Sequence, residues 1–157
     1  MKTDRDILSP SQRFGGLAAI PCMLALLAFF ALHQLVNSGF FTARFGPWEM
    51  LALYGPILVS SIPPIARAIG GRRNSGRPFE VASNISLAIG SLWLVTVFPF
   101  DYAHLADVLP GPIQFVLSWI SDDIARIVLT LQVIIGAIVA FLTAVTFFSF
   151  RRRAAEA

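Results

Sequence analysis

The sequence predicts an all-α membrane protein, a four transmembrane helix bundle with a short interfacial helix before the last span. Three observations carry that prediction. Apolar runs long enough to cross a bilayer recur along the 157 residues, basic residues cluster between those runs on alternate sides, and the composition is 56% hydrophobic with only 13% charged residues. Such a chain is more apolar than a water-soluble domain.

Crossing about 30 Å of hydrocarbon takes roughly 20 helical residues, because in lipid each backbone N–H and C=O must be paired within its own segment. The first span is expected over about 14–36, where Phe14 to Val36 carries no formal charge and gives way to the turn-forming Asn37, Ser38 and Gly39. The second, over about 48–66, has Glu49 at its mouth and Pro56, Pro63 and Pro64 inside it. A kinked helix follows, bent at Pro56, with Ser60 and Ser61 placed to re-pair freed carbonyls. The third span, over about 81–98, is preceded by Arg77 and Pro78 and stopped by Pro99, and the fourth, over about 124–150, is ended by Arg151, Arg152 and Arg153.

An unbroken helix from Pro112 to Phe150 would reach roughly 60 Å at 1.5 Å per residue, so the chain must break within it. Ser121, Asp122 and Asp123 supply the break: a capping residue, then acids suited to the positive end of a new helix. Upstream, Ile113, Val116, Leu117 and Ile120 recur at helical spacing beside Trp119, which predicts an interfacial helix over about 112–120. The third connection is therefore expected to be a structured cap, and residues 1–157 a single integral membrane domain.

Orientation follows from the 12 Lys and Arg residues. Lys2, Arg5 and Arg13 precede the first span, Arg67, Arg72, Arg73 and Arg77 separate the second from the third, and Arg151, Arg152 and Arg153 follow the fourth. The opposite side receives only Arg44 and Arg126. By the positive-inside rule both termini are expected in the cytoplasm, and the cell membrane is the expected location. A cleaved signal peptide is the rival reading of the first span, but its apolar run exceeds the usual signal core of roughly 7–15 residues. Arg67, Arg72, Arg73, Arg77, Arg151, Arg152 and Arg153 are expected to meet anionic lipid headgroups, at roughly 1 kcal/mol each. The basic clusters fit membrane topology and imply no nucleic-acid partner.

The outer side collects Glu49, Asp101, Asp107, Asp122 and Asp123, with His104 among them and His33 near the end of the first helix. Asp101, His104 and Asp107 stand three residues apart, so neighbouring pairs share a helical face and the set is a candidate divalent-cation site. The first and last then diverge by about 120°, and a solvated acidic cap is the plainer reading. Asp122 and Asp123 precede Arg126 at helical pairing distance, which predicts an intrahelical ion pair. Asp122, Asp123, Ala125 and Arg126 also resemble a fragment of the metal-binding signature of the CDP-alcohol phosphotransferases. The resemblance stops at Arg126: the glycine after the second acid is missing and no further acid occurs before Glu156. It implies no such activity here.

A single cysteine, Cys22, and a single lysine, Lys2, argue against iron–sulfur clusters, multi-cysteine zinc sites and a retinal Schiff base. Two histidines on different segments make a poor haem pair, so no cofactor is predicted. Ionisable groups are absent from the depth of the spans, which disfavours proton-coupled transport. Ser60, Ser61 and Asn84 should lie at similar depth and are candidates for polar interhelix contacts. Small residues at four-residue spacing, Ala82, Ser86 and Gly90, would allow close helix approach within this chain, in a homo-oligomer or in a larger membrane complex. The expected role is a non-catalytic structural, accessory or interaction subunit. The alternatives are a homo-oligomeric channel or facilitator, and a membrane enzyme or cation-binding protein working at the outer face.

Overall fold

A computed structural model describes residues 7–155, and the side chains of 73, 74 and 147–155 fall outside that description. Among the described residues the chain is helical without strands, and four helical runs are long and apolar enough to cross a membrane: Pro10–Val36, Pro47–Gly70, Arg77–Val97 and Asp122–Thr146. The shortest has 21 residues, about 31 Å at helical rise.

The first run comprises α1 (Pro10–Gly15), a 3₁₀ turn (Gly16–Ala18) and α2 (Ala19–Val36). It starts earlier than expected because Ser9 caps it: the Ser9 hydroxyl accepts from the Gln12 N–H, the Gln12 side chain accepts from the Ser9 N–H, and Pro10 takes the first helical position. It ends at Asn37, whose φ of 49° is left-handed.

The second run is α3 (Pro47–Ser60) followed by α4 (Ile62–Gly70). The interruption falls at Ser61, while Pro56 stays inside α3. Two adjacent prolines explain this, since Pro63 and Pro64 together withhold N–H donors from Val59 and Ser60. Both serine hydroxyls bond at the break, Ser60 to the Ile57 carbonyl at 2.8 Å and Ser61 to that of Leu58 at 2.6 Å.

The third run is α5 (Arg77–Val97), with Pro78 in its first turn, and it stops at Phe98 in a left-handed conformation with φ 43°. The fourth is α6 (Asp122–Ala155). Between them the expected interfacial helix is replaced by a 3₁₀ segment, Gly111–Val116, followed by turns. Pro110 and Pro112 remove donors at its start, and bonds close over three residues from Ile113 to Pro110 at 2.9 Å and from Leu117 to Gln114 at 3.1 Å. Apolar side chains of this segment and of the turns after it stand exposed: Phe115 is 71% and Trp119 65% accessible.

α5 is the central helix and packs on both α3 and α6, whereas α2 leans on α3. Two glycines set the close approaches. A Cβ on Gly90 would lie 2.5 Å from the Ala52 carbonyl oxygen, the acceptor that Pro56 leaves without its helical donor, and one on Gly136 would lie 3.0 Å from the Asn84 carbonyl oxygen. Gly90 therefore serves a contact within the chain.

The tightest packing lies at the acidic end, where the segments after α2 and after α5 meet. Phe40 is fully buried there among Phe100, Tyr102 and Phe41, with ring centroids 5.3, 5.2 and 4.9 Å away. Backbone bonds from Thr42 to Pro99 (3.0 Å) and from Asp101 to Phe40 (2.8 Å) pin the two segments together. Farther along the helices the pattern inverts, for only 0–22% of each run's most apolar window is buried. Exposed apolar area of that extent has no place in water and suits a lipid solvent.

Candidate functional site

Four polar ties hold the acidic half of the bundle. His33 is 1% exposed on α2, with Phe29 and Phe40 packed on its ring at centroid distances of 4.8 and 4.7 Å. Its Nε2 lies 3.2 Å from the Leu105 carbonyl and its Nδ1 2.5 Å from the Ser38 hydroxyl. Because a carbonyl can only accept, Nε2 carries a proton and donates it to Leu105, while Nδ1 shares a hydrogen bond with the Ser38 hydroxyl. Glu49 sits at the start of α3, where one carboxylate oxygen accepts from the Gly46 N–H and the other from the Trp93 indole of α5, both at 2.9 Å. Tyr54 of α3 donates to Gln34 of α2 at 2.7 Å, and Ser91 of α5 donates to Gln132 of α6 at 3.0 Å. Each tie joins a different pair of segments.

The acidic loop residues act locally. Asp101 caps the 3₁₀ turn Tyr102–His104 by accepting from the Ala103 N–H at 3.1 Å, and Asp122 accepts from the Tyr102 N–H at 3.0 Å. His104 stands between two acids, its Nδ1 2.7 Å from Asp107 and its Nε2 4.0 Å from Asp101. The carboxylates therefore address opposite ring nitrogens and do not converge on a shared point. Among the described residues no group of three His, Cys, Asp or Glu side chains is placed to hold a metal. Across the loop the His104 ring lies over Gly39, whose φ is +94° and whose added Cβ would sit 3.0 Å from the ring. Arg126 is not paired with Asp122 or Asp123 among the described residues. Its guanidinium instead stacks 3.7 Å above the Phe98 ring, which the left-handed turn at Phe98 brings into reach.

His104 is the titratable element of this cap. The Asp107 hydrogen bond raises its pKa above the ordinary 6.5, the charges of Asp107 and Asp101 add to the rise, and burial opposes it. A raised folded value means that the stabilisation is fully present below pH 6.5 and is lost as pH rises through the folded pKa. The melting temperature of the parent should accordingly fall over that window relative to a His104→Gln variant. Parallel pH profiles for the two proteins would remove His104 from the cap's energetics.

The other polar residues singled out from sequence bond close to home. Ser60 and Ser61 serve the helix break, with a 3.7 Å contact from Ser60 to the Met23 sulfur, and Asn84 donates to the Glu80 carbonyl of its own helix at 2.7 Å. At the basic end Arg67 is ion-paired with Glu80, and Arg13 closes the end of α4 by donating to the Ala68 carbonyl at 2.9 Å. The Leu8 N–H donates to the Gly71 carbonyl at 3.0 Å, drawing the N-terminal segment onto the loop that carries Arg72. Arg67 and Arg77 line a polar groove with Gln12, Glu80 and Thr143. Lys2 and Arg5 lie outside the described residues, and so do the side chains of Arg73, Arg151, Arg152 and Arg153.

No protein-family model, curated protein or solved structure matches this chain.

The ties through Gln34, Ser91 and Gln132 were not anticipated, although each is a polar residue inside an apolar run and so costly to leave unpaired. That cost was the available signal. Their partners depended on helix rotation, which the apolar runs leave open because they are apolar on every face.

Proposed function

We propose that this chain is an integral protein of the cell membrane, its basic end and both termini cytoplasmic, working as a non-catalytic structural or interaction subunit. One observation carries this reading: the side-chain hydrogen bonds that cross between the helical runs fix helix positions in separate pairs and do not converge on one point. Glu49 with Trp93, Tyr54 with Gln34, and Ser91 with Gln132 are pairwise ties between helices, and His33 fastens α2 to the Leu105 segment. Catalytic sites concentrate such groups around one reacting position. The exposed faces of the four runs, including Leu51, Ile89 and Phe141, then offer contact surface to lipid and to other membrane helices. Arg72 and Arg77, with Arg73 and the arginine triplet at 151–153, meet anionic headgroups of the cytoplasmic leaflet.

A tagged copy extracted from its native membrane in mild detergent should migrate as a complex larger than one chain with a stoichiometric partner. The purified chain should pass no ions in liposomes. Migration as a bare monomer would remove the reading, and a robust ion flux would replace it with a channel or facilitator.

A further inference from the structure

Beneath the aromatic cap the helices border a partly open cavity of about 370 Å³. Phe30 of α2, Leu53 of α3, Leu94 of α5 and Leu129 of α6 contribute walls, and Phe100 and Tyr102 of the cap reach it from above. The volume falls within the range of roughly 300–1,000 Å³ typical of small-ligand sites, and the lining follows their pattern of apolar walls with a few polar groups. No Lys, Arg, Asp, Glu or His lines it among the described residues.

Two residues that line this cavity, Gln132 and Tyr102, carry accessible hydrogen-bond donors without acceptors among the described residues. The Gln132 carbonyl oxygen is taken by the Ser91 hydroxyl, and its amide N–H groups have no partner. Tyr102 uses its backbone N–H on Asp122, but its hydroxyl donates to nothing. Burial, with the nearby Asp122 charge, pushes the Tyr102 phenol up to about 12, so it remains an O–H donor at physiological pH. The enclosure also has a weak side. α2 packs on α3 and at most sparsely on α6, so the wall between α2 and α6 is the thinnest side among the described residues. In a bilayer that side faces acyl chains.

We infer that the cavity binds an uncharged, membrane-dissolved molecule whose apolar body fills the bundle interior and whose carbonyl oxygen accepts hydrogen bonds from the Gln132 amide. A carboxylate or phosphate would be buried there without a counter-charge, at a cost of several kcal/mol. A pure hydrocarbon would leave the Gln132 donors unanswered. A carbonyl on a long apolar tail satisfies both conditions, and its sources in a membrane are the ester of an acyl glycerolipid and the head of an isoprenoid quinone. The inference shares the membrane placement proposed above but is independent of the subunit role.

The chain placed in nanodiscs of ether-linked phospholipid, which lack ester carbonyls, would be titrated separately with a prenylated benzoquinone and with an ester-linked diacylglycerol. Saturable binding of one molecule per chain is expected for at least one, and the preferred ligand identifies the source. Gln132→Leu should weaken that binding by about 2- to 12-fold, the worth of one hydrogen bond, while leaving the uptake of a carbonyl-free isoprenoid hydrocarbon unchanged. Leu129→Trp, which fills the cavity, should abolish both. On the unmodified chain, a diazirine in the ligand tail should attach to Phe30 or Leu129, a readout that depends on no variant's folding. Absence of saturable binding, binding indifferent to both substitutions, or attachment spread over the lipid-facing surfaces would overturn the inference.

Discussion

His33→Leu is expected to lower stability in detergent by about 2–4 kcal/mol, because it strips two hydrogen bonds from a fully enclosed position and leaves the Leu105 carbonyl without its donor. Leucine keeps much of the packing against Phe29 and Phe40, so the loss reports the polar contacts more than the volume. Ser38→Ala removes one of the two bonds and should cost about 1 kcal/mol. The near-ultraviolet circular dichroism of the aromatic cluster should weaken in the first variant and persist in the second. A His33→Leu protein as stable as the parent would mean that the cap is held by its phenylalanines without the histidine.

Gly90→Ala should destabilise by about 1–3 kcal/mol although alanine is the better helix former by about 1 kcal/mol. Its Cβ would lie 2.5 Å from the Ala52 carbonyl oxygen and 2.8 Å from the Pro56 ring, and neither a backbone oxygen nor a proline ring can swing aside. α3 and α5 must therefore separate. Gly55→Ala is the matched control: its Cβ would meet just the Leu51 side chain, at an ordinary 3.7 Å, and no loss is expected. Thermal unfolding in one detergent measures both. Equal melting temperatures for the two variants would refute the close α3–α5 crossing.

Length and apolarity made the four helical runs legible in the sequence, and the turn-forming Asn37, the stop at Pro99 and the capping Ser121 marked several of their ends. The start at Pro10 was hidden by Arg13, which reads as a flanking charge but bonds to the Ala68 carbonyl while remaining helical. The proline-rich second run announced a distortion, yet its position required weighing the adjacent Pro63 and Pro64 against the lone Pro56, whose freed Ala52 carbonyl faces Gly90. Spacing brought Asp101, His104 and Asp107 to one segment, but could not reveal that the 3₁₀ turn sets the two acids on opposite nitrogens of the ring. Arg126 illustrates the same limit. Its helical neighbours Asp122 and Asp123 were visible in the sequence, whereas the Phe98 ring reaches it through the chain reversal at φ 43°.

Cysteine accessibility in intact cells tests whether the bundle is embedded in the membrane with its basic end in the cytoplasm. In a Cys22→Ala background, Ser11→Cys and Asn74→Cys at the basic end should stay unlabelled by an impermeant maleimide until the membrane is opened. Ala43→Cys and Ala103→Cys, exposed at the acidic end, should label at once. Immediate labelling at 11 or 74 with protection at 43 and 103 would contradict the orientation, and recovery of the untreated chain in the soluble fraction would contradict the membrane placement itself.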